Sequence, residues 1–145
     1  MLATPLRFHN SLGREFCTVR YDKIRHVVVV VWRGLVTQES RAQVWQQLLP
    51  VLRTTGCPSL LNNWQEFLGA PSAEQQWLQQ VWDEAATQAG LRFLADVMKV
   101  NSLSQDYLRP LYTPNQPRVA ALETGLFYNL LDAYAWLRDK QAAQP

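Results

Sequence analysis

The sequence predicts one α/β domain, with a mixed five-stranded sheet, a leading β-hairpin and about four helices. Three observations carry this expectation. Val27 to Val31 are consecutive valines that run into Trp32-Arg33-Gly34, and a β-branched run without a polar face reads as a strand covered on both sides. Behind it, helical and strand-like segments alternate to the end of the chain, as crossover connections between parallel strands require. The 145 residues, 48% hydrophobic and 18% charged, suffice for one buried core.

Met1 to Gly13 is read as a flexible N-terminal segment, 14–140 as the domain, and 141–145 as a frayed C-terminus. Glu15 to Tyr21 sets Phe16, Thr18 and Arg20 against Cys17, Val19 and Tyr21, the alternation of a strand with one wet face. Asp22-Lys23-Ile24-Arg25 is a turn of hairpin length, and His26 to Arg33 returns as the valine strand. Thr37 is an N-cap for a helix from Gln38 to about Thr54, with Val44, Trp45, Leu48, Leu49 and Leu52 on one side. Pro50 is expected to kink or split that helix. Ser59 to Trp64 is the next strand, followed by a loop from Gln65 to Pro71.

Ser72, with Gln75 three places on, opens a second helix whose stripe is Leu78, Val81, Trp82, Ala85 and Ala89, closed by Gly90. Leu91 to Val100 is strand-like, Ser104 caps a short helix from Gln105 to Leu111, and Tyr112 to Pro117 is a connector. Arg118 to Leu122 is the last expected strand. Thr124 caps a final helix to about Lys140, with Phe127, Leu130, Leu131, Tyr134 and Leu137 inward.

The bulk numbers exclude several functions. A net charge of +2, with basic residues scattered from Arg7 to Lys140, argues against nucleic acid. No signal-peptide pattern opens the chain, and the longest apolar run, Val27 to Trp32, is far too short for a membrane span. Membrane insertion is therefore not expected, and a cytoplasmic location is. Cys17 and Cys57 stand alone, without metal or redox spacing, and are read as small buried residues.

The order of elements, the run Val27 to Thr37 with its Trp-x-Gly strand end, and the closing Asp132-Ala133-Tyr134-Ala135-Trp136-Leu137 resemble the STAS domain of bacterial anti-sigma-factor antagonists and the related CRAL-TRIO lipid-binding fold. The resemblance spans about Phe16 to Lys140 and is nearest to small stand-alone bacterial STAS-like proteins. It implies a regulatory protein-interaction module. STAS antagonists carry an Asp-Ser pair after the third strand, with the serine phosphorylated. Here that strand ends in Asn62-Asn63-Trp64, and Ser72 follows Pro71 rather than Asp. An N-cap role explains Ser72 without phosphorylation.

No nucleotide, nucleophile-elbow or zinc-protease motif occurs. His9 and His26 lack sequence neighbours that would make them catalytic, and Asp83-Glu84 diverge on a helix. Asp96 interrupts an apolar strand; it either has a buried partner or lies on an uncovered part of the sheet, the reading preferred here. Carboxyl ends of parallel strands favour ligands, and the expected order brings Arg33, Asn62, Asn63, Trp64, Lys99, Asn101, Ser102 and Glu123 to one edge. Trp136 points away from its helix's main apolar face and Trp77 lies at the margin of its own, where aromatics serve interfaces or are covered by a neighbouring loop. The sequence-based expectation is a non-enzymatic, self-associating module, a homodimer, without a cofactor or metal. Its contact surface comprises Arg33, Asn62, Asn63, Trp64, Ser72, Trp77 and Trp136. A small apolar or lipid ligand between helices and sheet is the alternative.

Overall fold

The computed structural model describes residues 4–68, 73–102, 105, 108, 109, 112, 119, 121–143, and of residues 73–79 the backbone alone. The described strands are β1 (Leu6–His9), β2 (Glu15–Asp22), β3 (Val27–Gly34), β4 (Ser59–Phe67), β5 (Phe93–Val97) and β6 (Glu123–Phe127); the helices are α1 (Gln38–Thr55), α2 (Ala73–Gln88) and α3 (Leu130–Ala142). They build one mixed sheet in the order β1-β2-β3-β4-β5-β6. The first two pairings are antiparallel and the last three parallel.

The α/β class holds, with six strands rather than five and three described helices rather than four. The added strand is β1, inside the segment expected to be flexible. Leu6 and Phe8 alternate with Arg7 and His9, and β1 gains a partner in β2. Asn10 shapes the connecting turn, its Oδ1 accepting from the Leu12 and Arg14 amides.

Strands added in one direction by right-handed crossovers place their connections on one face. Accordingly α1, α2 and Leu108 and Leu122 of the β5–β6 connection join Val28, Val30, Trp32, Leu60 and Leu94 in one core. After the last strand the chain turns back, and α3 covers the opposite face through Ala133 and Leu137 against Val27, Val29, Leu61, Phe93, Ala95 and Val97. The valine run thus feeds both cores alternately. Its two-sided coverage is why it carries no polar residue.

Thr37 caps α1 by accepting from the Ser40 amide at 3.1 Å. Gly56, at φ 62°, ends it with its N–H donating a hydrogen bond to the Leu52 carbonyl, a left-handed cap that favours glycine. Pro50 leaves α1 unbroken; it is exposed, so no packed neighbour holds the lost hydrogen bond against water.

The β6–α3 boundary departs from expectation. Val119 and Leu122 form only an isolated bridge, and Glu123–Phe127 takes the strand position beside β5. The cap is Asn129, not Thr124: its Oδ1 accepts from the Asp132 amide and its Nδ2 donates to Asp132 Oδ2, both at 2.9 Å. This reciprocal pair outcompetes a lone threonine. In consequence Leu131 is exposed instead of inward. Ser104 and most of the expected Gln105–Leu111 helix lie outside the described residues.

Candidate functional site

The predicted edge residues part company. β4 runs to Phe67 rather than Trp64, and a bulge interrupts its register with β3 between Val31 and Arg33. The extra residue re-aims the strand, so Trp64 and Phe67, three apart, both enter the α1/α2 core. Asn62 and Trp64 are therefore buried, not surface residues. Asn62 Oδ1 accepts from the Trp32 indole at 3.2 Å, and Trp64 stacks on Trp32 at 5.0 Å with 5° between planes. Trp45 meets Trp32 edge-on and Trp82 in turn tilts against Trp45. The Trp82 indole donates to the Trp45 carbonyl. Four indoles thus fill the space between sheet and helices.

Asp96 is buried as well, against the preferred expectation. Oδ1 accepts from the Trp64 indole at 2.8 Å and Oδ2 from the Tyr112 hydroxyl at 2.7 Å, and Tyr112 also donates to the Gly125 carbonyl. A carboxylate held by two donors is a structural tie between β4, β5 and the β5–β6 connection. Lys99, Asn101 and Ser102 form a local turn, the Ser102 hydroxyl donating to the Lys99 carbonyl. Glu123 begins β6 and so stands at the amino end of the parallel strands, opposite the expected edge; it pairs with Lys140. Asn63 is half-buried on the α3 side and accepts from the Gln65 amide. Trp136 is half-buried against Phe127, 5.5 Å away, and packs on the α3 core. It is covered from within the chain. Ser72 lies outside the described residues, and Trp77 contributes only its backbone in α2.

Of the expected set, Arg33 remains at a cleft. β3 leaves the sheet at Gly34, whose φ of 69° suits glycine. The turn throws Leu35 outward and returns Val36 to the core. Around this exit lies a cleft of about 430 Å³ whose lining includes Leu12, Arg14, Glu15, Arg33, Leu35 and Leu68. Leu12 is 80% exposed, Leu35 77% and Leu68 52%. Arg33 Nε pairs with Glu66 at 3.3 Å, whereas its buried Nη1 has no hydrogen-bond partner.

Leu12, Leu35 and Leu68 escape a reading of the sequence because each lies outside the strands and helices, where a leucine's exposure has no pattern. The available signal is an apolar residue beside a turn-forming glycine, Leu12-Gly13 and Gly34-Leu35.

Cys17, next in sequence to the cleft-lining Phe16, is fully buried. Burial pushes its thiol far up, against the opposing pull of Arg33, and burial raises Cys57 too. Neither is a nucleophile at neutral pH. Both should resist a disulfide reagent at pH 8 in the native protein and react once unfolded; rapid native labelling would contradict this burial. Because the folded thiols titrate above their ordinary 9.0, the unfolded chain releases protons first. The stability these two thiols contribute should be constant below that value and be lost as pH rises through it.

Among the described residues, no group of His, Cys, Asp or Glu is placed to hold a metal, and no helix is long and apolar enough to cross a membrane. The site is a surface that can bury leucine and pair charge. No protein-family model, curated protein or solved structure matches the chain.

Proposed function

We propose that the protein is a cytoplasmic, STAS-like, non-enzymatic regulatory module that self-associates through the leucine-rimmed cleft at the end of β3. One observation carries this reading: three exposed leucines converge on a single cleft. Leucines scattered singly are ordinary surface, whereas a contiguous apolar patch marks an interaction site. The rim supplies both signs of charge, Arg14 and Arg33 beside Glu15 and Glu66. A two-fold contact sets a patch against itself, and this mixed rim then meets opposite charge on the second copy. A leading antiparallel hairpin followed by parallel strand-helix units supports the STAS-like assignment. An apolar ligand between sheet and helices finds that space occupied by the indoles of Trp32, Trp45, Trp64 and Trp82.

Sedimentation velocity over a concentration series tests the proposal. The wild-type protein should populate a dimer, and Leu35→Glu should remain monomeric with an unchanged circular-dichroism spectrum. A wild-type monomer throughout, or a dimer unaffected by Leu35→Glu, overturns self-association through this cleft.

A further inference from the structure

The opposite end of β3 carries a second surface of different chemistry. The β2–β3 turn places Ile24 at its tip, 96% exposed, between Lys23 and Arg25. This turn is tightly held. Asp22 Oδ1 accepts from the Ile24 and Arg25 amides at 3.1 and 3.0 Å, and Oδ2 from the Arg25 guanidinium at 3.0 Å. Burial pushes the Asp22 carboxyl up, but the Arg25 bonds and the nearby Arg20 outweigh it and hold the group below its usual range. His26, at φ 57°, meets the Tyr21 hydroxyl at 2.6 Å, and its carbonyl accepts from Gln141 of α3. Ile24 is therefore presented on a fixed support.

Beside the turn, α3 contributes Leu131, 82% exposed, and Arg138 to a cleft of about 420 Å³ shared with Ile24 and Arg25. The Arg25 guanidinium lies over the Tyr134 ring at 4.8 Å. Charge is concentrated at this end. Arg20, Lys23, Arg25, Arg53, Arg92, Arg138 and Lys140 stand there against Asp22, Glu123 and Asp139. The rest of the chain, with seven basic and nine acidic residues, is slightly acidic. Basic residues in last helical turns answer the helix dipole, which accounts for Arg53 and Lys140. It does not account for Lys23, Arg25 or the isoleucine between them, which belong to no helix.

We infer that this end docks on the surface of an anionic lipid bilayer, Ile24 and Leu131 entering the headgroup–acyl boundary while Lys23, Arg25 and Arg138 meet lipid phosphates and carboxylates. Exposed apolar side chains on a rigid basic rim fit a boundary that is apolar below and negatively charged above. A soluble acidic peptide would use the cations and leave Ile24 in water. Attachment of this kind is reversible and requires no spanning segment, and it leaves the cleft at the far end of β3 free.

Co-sedimentation with vesicles of phosphatidylcholine, alone or mixed with phosphatidylserine, provides the test. The wild-type protein should sediment with the mixed vesicles at low ionic strength, remain in solution with phosphatidylcholine alone, and be released by added salt. Lys23→Ala and Arg138→Ala should each weaken binding roughly fivefold, the effect of one interfacial cation. Ile24→Ser should weaken it without altering the salt dependence. All three positions are exposed, so thermal denaturation should be unchanged. The inference is overturned if the wild-type protein fails to sediment above its phosphatidylcholine level, or if Ile24→Ser binds as the wild type does. Equal binding of the wild type and Ile24→Ser to a soluble acidic peptide, with no vesicle binding, would also overturn it.

Discussion

Replacing Trp64 by alanine is expected to cost about 3–5 kcal/mol, the range for truncating a large aromatic in a packed core. Trp64 is fully buried and lies flat on Trp32, with Phe67 edge-on 4.9 Å away. Its removal opens a void in the space shared by the indoles and deletes the donor to Asp96. Stacked aromatic pairs add about 0.5–1.5 kcal/mol beyond their area, and that share disappears as well. Trp64→Phe keeps a ring but loses the indole N–H, so it should fall between the two. Urea denaturation followed by far-ultraviolet circular dichroism measures the series. A loss under about 1 kcal/mol for Trp64→Ala, the level of an average substitution, would show that the stack does not support the fold.

The second large effect is expected at Asp96. Asp96→Ala leaves the Trp64 indole N–H and the Tyr112 hydroxyl without this acceptor, and an orphaned buried donor costs about 1–3 kcal/mol. A loss of about 3 kcal/mol is expected. Asp96→Asn retains one carbonyl oxygen and should lose less than half of that. Tyr112→Phe deletes the hydroxyl that donates to the Asp96 carboxylate, so it should cost about 1.5–3 kcal/mol, the range for a hydrogen bond to a charged group. A double-mutant cycle between Trp64→Phe and Asp96→Ala isolates their bond, because the two side chains share it and their effects cannot add. Additive losses would remove Asp96 from this role.

The valine run was readable because its two faces are both covered, and the Thr37 and Gly56 caps because each acts within a few residues. β1 was not: four residues, Leu-Arg-Phe-His, become a strand only when β2 lies alongside. The start of α3 turned on two competing caps, and the pairing of Glu123–Phe127 with β5 settled it. Asp96 was ambiguous because its partners lie 32 and 16 residues away along the chain. Trp64 follows two asparagines that look like a strand end, yet Asn62 is an interior acceptor for Trp32. Arg33 was legible as a marker of its cleft. The leucines around it were not, since the exposure of Leu12 and Leu35 follows from the turns at Asn10 and Gly34.

Because order in the sheet repeats order in the chain, each strand's inner neighbour has already emerged when that strand leaves the ribosome. No later strand has to be inserted between two earlier ones. Growth from β1 outward can then proceed during translation, with each new edge waiting for the next arrival. The unfinished edge is a template for wrong pairing while it waits, longest across the stretches before β5 and before β6, where 25 residues separate each strand from the one preceding it. A pause in synthesis there would hold an incomplete sheet open, whereas the same pause after Phe127 leaves only α3 to be added.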